Sequence, residues 1–336
     1  MKLDALKEMA VHILEKHGVA EAVAEMVADV LVDADARGVV THGLTRLPVY
    51  VARMRAGLIA PHAHPQPVSD HGALVLLDGG NGFGAVAGIE AADLAGERAR
   101  ACGCAWVTVR NSNHLSMLGY YTRRMAARGM AAIGFSNAGP SMAAWGGRRP
   151  VVGTNPVSMA VPGPEAPVVL DMAVTTVARG KIRRAQSEGK SIPEGWAFDR
   201  DGNVTTDPDR AMEGTVAPMG AHKGYGLAVM IDLMCGVLGG GSFATGVRTA
   251  TDRAGPAGVC FTLIAADMGK LSDSDRFADR LQTFRGVVES SGEGEIHLPG
   301  DLEDKRLEAA QRDGVALPAD VMRKLEELLA EGDEKK

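Results

Sequence analysis

The chain has 336 residues, 46% hydrophobic and 23% charged, with a formal net charge of −6. This globular usage excludes disordered, collagen-like and coiled-coil chains, and the acidic balance without a long basic block excludes a nucleic-acid footprint. At about 150 residues per domain the length allows roughly two domains, and folding hides roughly three quarters of the surface, so no staple is needed. The four cysteines, Cys102, Cys104, Cys235 and Cys260, make no C-x-x-C pair. Cys102 and Cys104 are expected to point inward together as small hydrophobes.

In chain order, the first 60 residues read as helical, because 23–32 repeats apolar residues at helical spacing. The start is amphipathic and lacks the apolar core of a signal peptide, and no apolar stretch reaches 18 residues. A soluble, cytoplasmic protein without a membrane partner is expected. Residues 61–72 read as a loop, 73–77 as a strand, 79–84 as a glycine turn and 85–101 as a helix. A strand at 104–109, a loop at 111–119, a helix at 120–128 and a strand at 130–136 follow. Residues 137–153 are loop-rich, 156–161 and 168–170 short strands, and 177–187 a helix. A long polar excursion covers 192–218. Helices are expected at 224–238 and 274–290, strands at 259–265 and 295–298, and a charged helical tail over 301–336. Alternating strands and helices give the α/β class.

Glycine is the compositional anomaly, 42 residues or one in eight, against a usual 7%. Clusters at 79–84, 146–153, 220–226 and 236–246 mark sharp bends or close approaches, as in a ligand-binding enzyme. The first cluster tempts a dinucleotide-binding reading, because residues 80–85 fit G-x-G-x-x-[GA] between a strand and a helix. The second strand, however, runs into Val109-Arg110-Asn111 with no acid for a ribose hydroxyl. We read the cluster as a turn that packs a helix onto a sheet.

Five stretches look chemical. His42, Arg46 and Tyr50 are spaced i, i+4, i+8. Pro48 suits a first helical turn, so a helix starts near Arg46 and His42 sits on the loop before it. Arg46 has the planar fork for a carboxylate. His114 lies on a loop at a strand's carboxyl end, a place for a general acid or base. Thr154 sits in a Gly-Thr-Asn-Pro run, where Pro156 predicts an extended Asn155. Residues 171–182 and 219–226 each run through small residues into a helix whose first amides can hold an anion, the second with Lys223. No H-x-x-x-H pair or carboxylate cluster supports a metal.

In their order, these runs resemble the malate/L-lactate dehydrogenase type 2 family. They are Thr-His-Gly-x-x-Arg-x-x-x-Tyr at 41–50, Asn113-His114, Gly-Tyr-Tyr at 119–121, Trp-Gly-Gly at 145–147 and Gly-Thr-Asn-Pro at 153–156. Asp-Met-Ala at 171–173, Ala-Arg-Gly-Lys at 178–181, Pro-Glu-Gly-Trp at 193–196, His-Lys-Gly-Tyr-Gly at 222–226 and Leu-Pro-Gly-Asp at 298–301 complete the set. The family includes sulfolactate, ureidoglycolate and diketogulonate dehydrogenases and piperideine/pyrroline-2-carboxylate reductases. The resemblance covers nearly the whole chain. It implies a non-Rossmann α/β fold in one unit over 1–336. Within it, 1–72 would be a helical segment contributing substrate residues, 73–300 the cofactor-binding core and 301–336 a C-terminal helical segment. It also implies a homodimer with the active site near the subunit interface.

By the resemblance, His42 and His114 are the catalytic pair, with His114 the first choice as proton donor. Arg46, Tyr50 and Thr154 line the substrate site. Asp171, Met172, Ala173, Val174, Thr175, His222, Lys223, Pro299, Gly300 and Asp301 bind the cofactor. That cofactor is NAD, with NADP also open. The implied reaction interconverts a small anionic 2-hydroxy acid (malate-, lactate- or sulfolactate-like) and its 2-oxo acid by hydride transfer. Reduction of a cyclic imino acid is the alternative within the family; a non-catalytic nucleotide-binding protein is the alternative outside it, and the paired histidines speak against that. If His114 is the donor, its pH profile should turn near neutrality. Three stretches depart from the family pattern: Leu115-Ser116 for the common Phe-Gly, Val174-Thr175 for Thr-Ser, and Asp301 for Glu.

Overall fold

The computed structural model describes residues 1–271 and 273–331. Its centre is a seven-stranded sheet. The strands lie in the order Gln66–His71, Leu74–Asp78, Cys104–Ser112, Val259–Asp267, Met130–Ser136, Val157–Val161, Val168–Met172. Leu74–Asp78 and Cys104–Ser112 pair in parallel, and every other neighbouring pair is antiparallel. The sheet is α/β in class but not doubly wound. The central strand, Val-Cys-Phe-Thr-Leu-Ile-Ala-Ala-Asp, is a nearly continuous apolar run and is mostly buried, as a strand covered on both faces requires.

The helix Gly84–Cys102 packs against this sheet through small residues, among them Ala85, Ala91, Ala92 and Ala95. One apolar core extends from Leu6 of the first helix to Leu328 of the last. The N-terminal helices Leu3–Lys16 and Glu21–Ala36 thus pack on the same core as the sheet, and the Met1 amino group donates to the Val315 carbonyl at 2.7 Å.

Several local expectations change. The loop at 61–72 contains the edge strand Gln66–His71, paired to 74–78; prolines 65 and 67 are tolerated because an edge strand needs fewer donors. The 192–218 excursion folds into three two-residue strands, Ala197–Phe198, Val204–Thr205 and Thr215–Val216, and a helix Pro208–Glu213 capped by Asp207. The helix expected at 224–238 starts at His222 and changes after Asp232 into a π-helical turn, Leu233–Val237. Residues 295–298 form no strand. The tail is two helices, Asp301–Asp313 and Ala319–Ala330, and positions 332–336 lie outside the described residues. Cys102 and Cys104 are exposed, because Gly103, at φ +93°, ends the helix between them and starts a strand. Asn155 is not extended but has φ +28°. Its buried amide accepts from the Ala138 N–H and donates to the Ala228 carbonyl, both at 2.9 Å.

The 79–84 glycine turn is filled from inside. The Asn113 amide donates to the Gly82 carbonyl at 2.8 Å and to the Asn81 carbonyl at 3.1 Å. Gly84 lets the helix start against the next loop: a Cβ there would lie 2.4 Å from the His114 carbonyl oxygen. The turn therefore seats the loop that carries His114.

Gly84→Ala should force that backbone apart and destabilise the protein by about 1–3 kcal/mol. Gly96→Ala, in the same helix with open space around it, should stabilise by about 0.5–1 kcal/mol. Thermal unfolding of both variants checks the contrast; equal shifts would refute it.

Candidate active site

The Thr41–Arg46 loop is held from below by a buried carboxylate. Asp35, 3% exposed, accepts the Leu44 N–H at 2.7 Å. A Cβ at Gly43 would sit 2.1 Å from this carboxyl, so the closeness needs glycine. Burial pushes the Asp35 carboxyl up from 3.8 to about 7. The short turn Leu44–Arg46 then leads into the helix Leu47–Arg55, with Pro48 in its first turn. Arg46 spends its Nε on the Thr41 carbonyl at 2.6 Å. Among the described residues no partner engages its terminal nitrogens, which remain available for a carboxylate.

The second loop follows the strand Cys104–Ser112. Its His114 stacks on His42, with ring centroids 5.4 Å apart and planes 26° from parallel. The buried Tyr50 reaches across, its hydroxyl 2.8 Å from His114 Nδ1. His42 Nδ1 lies 2.9 Å from Thr41 Oγ1. Both imidazoles are enclosed yet reachable from outside. Burial, with Arg46 adding to it, lowers the His42 pKa from 6.5 to about 4 and that of His114 well below 6.5. Both rings are neutral at pH 7.

A third segment joins these loops to the other predicted residues. Asp171 accepts the Gly119 N–H at 2.7 Å. With Pro299 and Gly300 it lines a cleft of about 230 Å³, to which Val39, Met117, Arg123 and Glu303 also contribute. Farther on, the Val174 N–H donates to the Thr154 carbonyl and the Met219 N–H to the Val174 carbonyl, both at 3.0 Å. The chain then reaches the first loop, where a Cβ on Gly180 would lie 3.0 Å from Thr41 Cγ2.

Seven of the predicted residues fall into two places. His42, Arg46, Tyr50 and His114 form one cluster. Asp171, Pro299 and Gly300 form a cleft whose walls Val39 and Met117 adjoin the two histidine loops. Met172, Ala173, Val174 and Thr175 link them, with Thr154 bonded to this strip. His222 and Lys223 are exposed at the start of their helix, where Trp145 packs edge-on to the His222 ring at 5.7 Å. Asp301 does not line the cleft. Its carboxylate accepts the Leu298 N–H at 2.8 Å and pairs with Arg285 at 2.9 Å, closing the Leu298–Asp301 turn that presents Pro299 and Gly300.

The lining of this cleft is compatible with one part of a nicotinamide dinucleotide. The cleft is below the ~300 Å³ floor of typical ligand sites, so it fits one portion of the molecule. The Arg123 Nε is buried there without a partner, as a group awaiting an acceptor would be, and Asp171 offers an acceptor to a sugar hydroxyl.

The family model for malate/L-lactate dehydrogenases matches residues 1–326. The chain belongs to the malate/L-lactate dehydrogenase family. It is therefore an enzyme, a dehydrogenase acting on hydroxy acids. It is 34% identical over 328 residues to the malate/(S)-sulfolactate dehydrogenase of Methanothermus fervidus, covering 97% of this chain and 96% of that one. It is 36% identical over 304 residues to the (2R)-3-sulfolactate dehydrogenase (NADP(+)) of Chromohalobacter salexigens, covering 89% of each. The solved sulfolactate dehydrogenase of Methanocaldococcus jannaschii superposes with a TM-score of 0.92 at 33% identity, covering 99% of this chain and 97% of that one.

Sequence reasoning missed Asp35 and Arg123, and marked Ser116 only as a departure from the family pattern. Asp35 was detectable as an acid on the apolar side of an amphipathic helix; Arg123 gave no pattern to follow.

The folded state keeps a proton on Asp35 between pH 3.8 and about 7 that the unfolded chain releases. Stability is therefore lost as pH rises through this window. Asp35→Asn cannot ionise, so its stability relative to the parent protein should grow from pH 4 to 7 and level off above. Urea unfolding at a series of pH values checks this; a constant difference would refute it.

Proposed function

We propose that this family member interconverts a small 2-hydroxy acid and its 2-oxo acid, and that the preferred substrate carries a second anionic group. The observation that carries the reading is the stacked His42–His114 pair beside Arg46. Arg183 supports the second charge: burial is the main cause that lowers the pKa of Arg46 and of Arg179, and the nearby Arg183 cation lowers both further. Such crowding of like charge costs free energy that a dianion offsets. Malate- and sulfolactate-like acids fit better than lactate.

When bound, the nicotinamide cofactor supplies or accepts the hydride at the substrate's C2. The protein's part is binding, orientation and the proton. Arg46 clamps the carboxylate with its terminal nitrogens. Tyr50 orients the His114 ring, and the histidine pair exchanges a proton with the oxygen on C2. Enclosure by the two loops strengthens each of these interactions. NAD is the proposed cofactor, because the acids Asp171 and Glu303 in the cleft suit ribose hydroxyls better than a 2′-phosphate.

We read the chain as one unit whose first 72 residues supply substrate groups. Among the described residues no helix is long and apolar enough to cross a membrane. The exposed free thiols of Cys102 and Cys104 suit a reducing cytoplasm. A second copy is the proposed cover for the exposed apolar side chains Met230, Leu233, Val237, Leu238 and Phe243.

Turnover of oxaloacetate, sulfopyruvate, pyruvate and piperideine-2-carboxylate with NADH and NADPH tests the reading; imine reduction alone would overturn it. Arg46→Lys should raise KM for 2-oxo acids about 10- to 100-fold, as hydrogen bonds to a charge are lost. Arg183→Ala should raise KM for oxaloacetate and sulfopyruvate more than for pyruvate, and equal effects would remove the second anion site.

Because a base must be unprotonated, oxidation needs neutral imidazole. With the His42 pKa near 4, kcat/KM for oxidation should be flat from pH 6 to 8 and fall only as pH drops toward about 4. This differs from the turn near neutrality that an unperturbed histidine gives. A pH–rate profile with an inflection at 6.5–7 would contradict it.

A further inference from the structure

Ser116 has φ +64°, a left-handed conformation that costs a residue with a Cβ. It is buried, and both of its polar groups face a catalytic loop. Its hydroxyl donates to the His42 carbonyl at 2.6 Å. Its N–H points at His114 Nδ1 from 3.3 Å. A backbone N–H can only donate, so Nδ1 must accept, and the proton of the neutral ring lies on Nε2. The Tyr50 hydroxyl meets the same Nδ1 at 2.8 Å. A second proton on His114 would set N–H against N–H. His42 has no such restriction, because its Nδ1 faces the Thr41 hydroxyl, which accepts as well as donates. Arg46 acts on both rings, and the two rings and Tyr50 face one another.

We infer that Ser116 is a positioning residue that latches the His42 loop to the His114 loop and holds His114 as a neutral Nε2–H donor to the substrate oxygen, leaving His42 as the ring that carries the proton. The inference rests on the dehydrogenase reading above. Two bonds cross the seam in opposite senses: Ser116 reaches from the second loop to His42, and Tyr50 from the helix Leu47–Arg55 to His114. Together they fix the stacked geometry that a single crossing bond would leave free to pivot.

The test uses full-length protein labelled with ¹⁵N-histidine, without cofactor, with His114→Gln to assign the His114 signals. His114 should show a pyridine-like Nδ1 and a pyrrole-like Nε2. A protonated Nδ1 overturns the tautomer assignment whether or not any acid on the panel turns over, so this arm stands apart from the dehydrogenase reading. Ser116→Gly suits the local backbone better, so its Tm should hold or rise. Its kcat should nevertheless fall about 3- to 10-fold, the worth of one hydrogen bond, with cofactor Kd unchanged. A purely structural serine would move Tm and kcat the same way, and an unchanged kcat overturns the latch. His42→Gln should abolish the acid limb of the oxidation profile, while His114→Gln slows turnover and keeps that limb; the reverse pattern overturns the division of roles.

Discussion

The site depends on one seam, where the Thr41–Arg46 loop meets the 113–116 loop. Polar groups enclosed by protein must find partners or cost free energy. The two loops supply them mutually: Ser116 bonds the His42 carbonyl, and Tyr50 bonds the His114 ring. Ser116 and His42 are 74 positions apart in the chain, so neither loop holds this geometry alone. Asp35 from below and Gly84 from behind hold one loop each.

The same seam explains the electrostatics. Two imidazoles and one guanidinium share an enclosed space, so their charged forms are disfavoured by burial and by one another. The outcome is a neutral histidine pair beside an arginine with open terminal nitrogens, an arrangement disposed to receive an anion. The strip from Asp171 to Gly180 then ties the pair to the cleft. Its backbone bonds to Thr154 and Met219 and its contact at Thr41 make the cleft and the histidine cluster one connected structure. Asp301 belongs to this scheme indirectly, through the turn it closes.

The helices, most of the strands and the histidine–arginine–tyrosine spacing were legible in the sequence, because local periodicity and proline and glycine chemistry act over a few residues. The glycine turn at 79–84 was also readable as packing rather than phosphate binding, since the acid that a ribose needs was missing. The edge strand Gln66–His71 and the small strands within 192–218 were not. Their sequences are polar and proline-containing, and only pairing with a neighbour makes them strands. The strand expected at 295–298 failed for the converse reason: it has apolar character but no neighbour to pair with.

By itself, then, the sequence determined the class of fold, the chemical groups and the family, because each of these is written in residue types and their order. Tertiary structure alone decided which nitrogen of His114 accepts, that Ser116 joins the two loops, that Asp35 keeps its proton, and that Cys102 and Cys104 face outward. These outcomes depend on burial and on hydrogen bonds between distant segments. The free energy of a charge or a donor depends on what surrounds it in space, and its neighbours in the chain do not specify that surrounding.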